Sequence, residues 1–122
     1  MLPVPNVDPS PAWADAWDGF ELDQITEGRS PKSILNRRYT VLTLARHATA
    51  AGHDPADITK VYLTKYLMAQ YDGRQGTGAG QVFQHLKVFW DWYAREFEVT
   101  SPMAGLKRPK GKNRPVPVVS NA

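Results

Sequence analysis

Three histidines, His47, His53 and His85, are the side chains best suited to proton transfer or metal binding near neutral pH. None stands H-x-x-H or H-x-x-x-H from another, and the chain has no Cys to complete a ligand set. We therefore expect no metal site and no cofactor. No two carboxylates stand out as an acid/base couple, and a G-x-S-x-G nucleophile elbow is absent. Gly76, Gly78 and Gly80 in "QGTGAGQ" fall short of a dinucleotide fingerprint, because Gln81 stands where the last Gly belongs and a helix precedes. Glycines at a helix N-terminus still let backbone N–H groups approach a phosphate. The plainer reading is a loop.

Residues that bind or read nucleic acid are better represented. Residues 1–28 hold six acids (Asp8, Asp15, Asp18, Glu21, Asp23, Glu27) and no Lys or Arg, a charge of −6. Residues 29–122 hold all 15 bases and the other six acids, a charge of +9. Such asymmetry points to one surface for a polyanion and another for something else. Solvated charge is the plain alternative. The C-terminal stretch "SPMAGLKRPKGKNRPVPVVSNA" carries Lys107, Arg108, Lys110, Lys112 and Arg114 and no acid.

The elements that must position these groups are helical. Pro3, Pro5 and Pro9 keep residues 1–10 out of any helix, as a flexible N-terminal arm. Ser10-Pro11 supplies an N-cap and a first helical position. Trp13, Trp17 and Phe20, with Leu22 and Ile25 beyond, make an amphipathic first helix that Gly28 can end. Ser30-Pro31 repeats the start signal. The second helix runs to about Ala51, with Ile34, Leu35, Val41, Leu42, Ala45 and Ala48 inward and Tyr39 at the edge. "HDPADIT" is a turn, and Thr59 caps a third helix carrying Leu63, Tyr62 or Tyr66, Leu67 and Tyr71. A fourth helix from about Thr77 to Phe97 places Val82, Leu86, Phe89 and Tyr93 on one stripe, widened by Phe83, Trp90 and Phe97. It is the most apolar and should be central.

With no strand alternation and no internal repeat, the expected fold is all-α, a small orthogonal bundle of four to five helices spanning residues 11–104. The Trp and Tyr residues could stack bases, but their helical spacing favours core packing, with Trp92, beside the stripe, as the exception. His85 belongs on a polar helix face, solvated or facing DNA, and is not expected to act as a general base. No apolar run approaches a bilayer span, and no signal pattern opens the chain. Absence of Cys fits a reducing cytoplasm.

The order of signals resembles the N-terminal core-binding domain of tyrosine recombinases, the phage-type integrases. The resemblance rests on "GRSPKSILNRRYTVLTLARHATAAG", "DPADITKVYLTKYL", "TGAGQVFQHLKVFWDWYAREF" and "SPMAGLKRPK", over roughly residues 11–115. Ser30-Pro31-Lys32-Ser33 stands where the family has a Ser-Pro-x-Thr-like start. Ile58-Thr59 matches its I/V-T opening. Phe89-Trp90-Asp91-Trp92-Tyr93 matches its F-[FW]-x-W-[LY] core, and Ser101 to Leu106 its [NS]-P-x-x-x-[IL] turn.

The resemblance implies a SAM-like helical fold that forms half of a clamp on double-stranded DNA. It implies that the second and fourth helices face the major groove, through Arg29, Lys32, Ser33, Asn36, Arg37 and Thr40 on one and Thr77, Gln81, Gln84, His85 and Lys87 on the other. The residue types agree independently, since Asn and Gln read adenine edges while Arg and Lys read guanine or phosphate. Residues 105–122, with Lys107, Arg108, Lys110, Lys112 and Arg114, resemble the basic linker that tracks the backbone toward a catalytic domain absent from this chain. The family's catalytic His-x-x-Arg does not occur here: Ala50, Ala56 and Val88 lie three places after the histidines. The expectation is DNA binding without cleavage, no small-molecule substrate and no membrane, with the acidic first helix available to a neighbouring protomer. A free-standing helical regulator and a helical protein-interaction module are the competing expectations.

Overall fold

The computed structural model describes residues 4–71 and 77–107, with the side chains at positions 77 and 78 outside that set. Its helices are α1 (Pro11–Thr26), α2 (Pro31–Ala50), α3 (Lys60–Tyr71) and α4 (Thr77–Phe97), with a 3₁₀ turn at Pro55–Asp57. No strand occurs among the described residues. The all-α expectation holds, as a small helical bundle in which α4 packs against α1, α2 and α3. None of the described helices is long and apolar enough to cross a membrane.

Local chemistry explains most of the boundaries. Ser30 caps α2, its hydroxyl oxygen accepting from the Ser33 N–H at 3.2 Å. Thr59 caps α3, accepting from the Tyr62 N–H at 3.0 Å. Gly28 and Gly52 follow α1 and α2 with φ of +79° and +83°, the left-handed stop that glycine adopts most easily. Ser10 departs from the expected cap. Its hydroxyl donates to the Asp54 carboxylate at 2.6 Å and its backbone N–H donates to Thr49 Oγ1 at 3.0 Å. Trp13 Nε1–H donates to the His53 carbonyl at 2.9 Å. These three bonds fasten the start of α1 to the end of α2 and the turn after it.

The core gathers Trp13, Trp17 and Phe20 of α1, Val41, Leu44, Ala45 and Ala48 of α2, Leu63, Tyr66 and Leu67 of α3, and Phe83, Leu86, Phe89 and Trp90 of α4. Beyond α4, Met103 of the Ser-Pro turn is buried as well, and Leu106 packs against the core. Four expected core positions do not belong there. Leu22 and Ile25 are 62% and 57% exposed, Leu35 is 64% exposed, and Phe97 is half-exposed at the end of α4. Leu22 stands two residues past Phe20, hence about 200° round the helix. The position four residues past Phe20 belongs to Gln24, which is buried instead.

Trp92 is also corrected: it is not left at the margin but buried against Phe20 and Phe89. The reason lies on α1. A Cβ at Gly19 would stand 3.0 Å and 3.1 Å from the Trp92 ring, so any larger residue would press the indole back by a few tenths of an ångström or more. Gly19→Val should therefore destabilise the chain by about 1–3 kcal/mol through overpacking. Urea denaturation would measure the loss, and a red-shifted tryptophan emission in the folded variant would show Trp92 displaced.

Candidate functional site

The polar residues of α2 and α4 come together where these helices pack. Ser33, Asn36, Arg37 and Thr40 recur at three- and four-residue spacing, as do Gln81, Gln84 and His85. Asn36, Gln81 and Gln84 are exposed, while Arg37, Thr40 and His85 are half-buried. The two rows are joined by Thr40 Oγ1 and His85 Nδ1, 3.0 Å apart. This contact commits one ring nitrogen of His85. If Nδ1 donates to the hydroxyl, Nε2 is left as an acceptor; if the hydroxyl donates to Nδ1, Nε2 carries the proton. The first arrangement lets the Thr40 hydroxyl also donate to the Asn36 carbonyl, which lies at 3.3 Å. A neutral imidazole is favoured here, because burial, and then the nearby Arg37 charge, hold the His85 pKa below its ordinary value.

Other expected readers are placed differently. Arg37 donates through Nη1 to Gln24 Oε1 at 2.9 Å, so its guanidinium is tied to α1. Burial, followed by Arg29, lowers the Arg37 pKa, and Glu27 opposes the shift. Arg29 lies 3.6 Å from Glu27, with both side chains about half-exposed. Lys87 is two residues past His85, on another side of α4, and pairs with Asp91 at 2.9 Å. Lys32 and Lys107 are exposed. Ser33 accepts from the Ser30 hydroxyl at 3.1 Å. The Thr77 side chain, and Arg108, Lys110, Lys112 and Arg114 entirely, lie outside the described residues.

Two features were missed in the sequence. Tyr39, expected among the packing rings, is 66% exposed. With Asn36, Arg38, Arg46, Leu35 and Leu42 it lines a cleft of about 550 Å³ that adjoins the polar row of α2 at Asn36. A smaller cleft, about 250 Å³, opens between α1, α2 and α4 and is lined by Gln24, Arg37 and Arg95 among others. Arg95 could have been found, since it continues the Gln81, Gln84, Val88 row of α4. Gln24 offered no signal beyond its spacing from Phe20.

Among the described residues, no group of three His, Asp or Glu is placed to hold a metal ion. Burial pushes Tyr71 up to about 12 and raises Tyr62 and Tyr93, so the phenolate is disfavoured at these three rings. Comparison with protein-family models, curated proteins and solved structures returned no match.

Burial also lowers the pKa of His47, whose Nε2 is buried without a partner. The consequence for stability has a definite sign. Below the ordinary histidine value of about 6.5, the unfolded chain binds protons at His47 and His85 that the folded chain resists. Stability from these groups is complete above that pH and is lost as pH falls toward the folded-state values. Thermal denaturation between about pH 7.5 and pH 5 should show a falling midpoint, and His47→Gln combined with His85→Gln should flatten the profile.

Proposed function

We propose that this chain is a duplex-DNA-binding domain of the tyrosine-recombinase core-binding type, with a SAM-like fold, gripping DNA for strand exchange carried out by groups outside these 122 residues. The observation that carries the reading is the joined polar surface of α2 and α4. Asn36, Gln81 and Gln84 are exposed there beside the Thr40–His85 contact, on the helix pair that the recombinase resemblance assigns to the major groove. Amide side chains are acceptor and donor at once and can pair bidentately with adenine. Neutral His85 adds one further donor or acceptor. Lys32 at the start of α2 and Lys107 after α4 supply charge for phosphates, and the sequence continues with four more cations through Arg114.

A second reading draws on the exposed Leu22 and Ile25 of the acidic helix α1. They favour a protein contact, and a neighbouring recombinase protomer on the same DNA would make the two readings compatible.

The test is binding of short duplexes over a range of salt. Affinity should fall by about 0.9 log units per phosphate contact for each log unit of salt. Lys110→Ala with Lys112→Ala should weaken all sequences alike and flatten that slope. Asn36→Ala or Gln81→Ala should instead change the preference among sequences, each by roughly 1–3 kcal/mol. No binding to any duplex at low ionic strength would refute the proposal.

Cleavage is the complementary measurement. Incubation with a nicked duplex should leave no covalent protein–DNA adduct, because the sequence has no His-x-x-Arg pair and burial disfavours the phenolates of Tyr62, Tyr71 and Tyr93 as nucleophiles. An adduct at Tyr39, the exposed phenol, would overturn this.

A further inference from the structure

The cleft between the C-terminal half of α1, the start of α2 and the middle of α4 holds charges of both signs. Half of them are already matched. Glu27 lies 3.6 Å from Arg29, and Asp91 is 2.9 Å from Lys87. The lining as a whole is neutral, three arginines against three carboxylates, but with Asp91 taken up by Lys87 outside the cleft, Arg37 and Arg95 face Asp23 as the one carboxylate not otherwise paired. Among the described residues no carboxylate stands within 4.0 Å of either arginine. Arg37 is in the harder position, because it is half-buried and Arg29 repels it.

Gln24 supplies an independent observation. It is only 1% exposed, lines the cleft, and has a side-chain amide nitrogen with no partner. The orientation of the amide follows from chemistry. Arg37 can only donate, so the group facing it at 2.9 Å is Oε1, and the NH₂ is left over. Trp17, His47, Gln70, Tyr71 and Trp90 also hold a buried polar atom without a partner, but of the six only Gln24 lines the cleft, beside Arg37 and Arg95. A partner for this cleft must accept hydrogen bonds from an amide and carry negative charge for two guanidinium groups. A phosphate oxygen does both, and arginine recognises such oxyanions well. At about 250 Å³ the cleft has room for several water-sized groups, each occupying ~30 Å³ in the liquid.

We propose that this cleft seats one backbone phosphate of the bound duplex, held by Arg37, Arg95 and the Gln24 amide. The inference rests on the DNA-binding reading above and adds to it a fixed point of register. Arg37 belongs to the same row of α2 as Ser33 and Thr40, and Val88, on the cleft wall, follows His85 on α4. The seat thus lies at one end of the joined polar surface, where a phosphate flanking the groove would set which base edges Asn36 and Gln81 meet.

The test uses the full 122-residue chain, isotope-labelled for NMR, and two probes: a short duplex and inorganic phosphate. The duplex should shift the Gln24 side-chain NH₂ and the Arg37 and Arg95 Nε–H resonances. Arg95→Gln should weaken binding to every sequence and lower the salt slope by about 0.9, one phosphate contact. Gln24→Met, which removes the amide without changing charge, should weaken binding by about tenfold and leave the slope in place. Arg95 is exposed, so its variant remains informative even where Gln24→Met fails to fold. If Arg95→Gln binds duplexes with wild-type affinity and slope, the seat is refuted while the DNA-binding reading stands. Shifts caused by inorganic phosphate and not by duplex would refute the backbone assignment in favour of a free-phosphate site. A wild-type chain that binds no duplex removes both proposals.

Discussion

Trp13 of α1 lies 6.3 Å from Phe89 and 5.9 Å from Trp90 of α4, while Phe20 meets Phe89 at 5.4 Å and Trp92 at 5.5 Å. These five rings form the contact on which the outer surface depends. A buried aromatic removes 150–250 Å² from water, roughly 4–6 kcal/mol each before conformational costs. With Phe89 and Trp90 inward, the roll of α4 about its axis is set. Gln81 and Gln84 are then exposed, and His85 sits at the border facing Thr40. A change of roll by one residue would turn every side chain by about 100° and dissolve the joined row. Gly19 matters for the same reason, since it lets the Trp92 indole close against α1.

Charge runs differently in space than along the chain. The first 28 residues are purely acidic in their ionisable side chains and the rest are net basic, which suggests two separate surfaces. Folding brings the end of α1 beside the start of α2, however, and Glu27 meets Arg29 while Asp23 joins the cleft of Arg37. Part of the acidic segment therefore trims the basic face. Lys87 is likewise offset by Asp91 one turn along α4. The local field is a few unpaired cations, not a continuous positive sheet.

Periodicity made the helices legible, together with their proline and glycine punctuation. α4 begins and ends where its pattern does, and Thr59 and Ser30 cap as their positions imply. Residues read from hydrophobicity alone fared worse. Leu22, Ile25 and Leu35 are apolar but off the stripe, whereas Leu44, in register with Val41, was overlooked and is fully buried. Gln24 shows the limit most clearly. A glutamine in the core position of α1 is visible only once Arg37 is known to lie against it, and that proximity depends on how two helices cross. The Ser10 bonds are of the same kind, since a cap residue and a tertiary anchor look identical in a sequence.

The fastening of α1 has a kinetic side. Ser10 and Trp13 bond to partners 39 to 44 residues along the chain. Closing a loop of that size carries an entropy cost that grows as (3/2)RT ln n and must be met before the bonds contribute. Contacts within α2, α3 and α4 face no such delay. The N-terminal turn of α1 is thus positioned to dock late and to open early, as a unit held by three hydrogen bonds and one indole. Its amides should exchange with solvent through partial openings, while those around Leu86 and Phe89, at the centre of the core, wait for global unfolding.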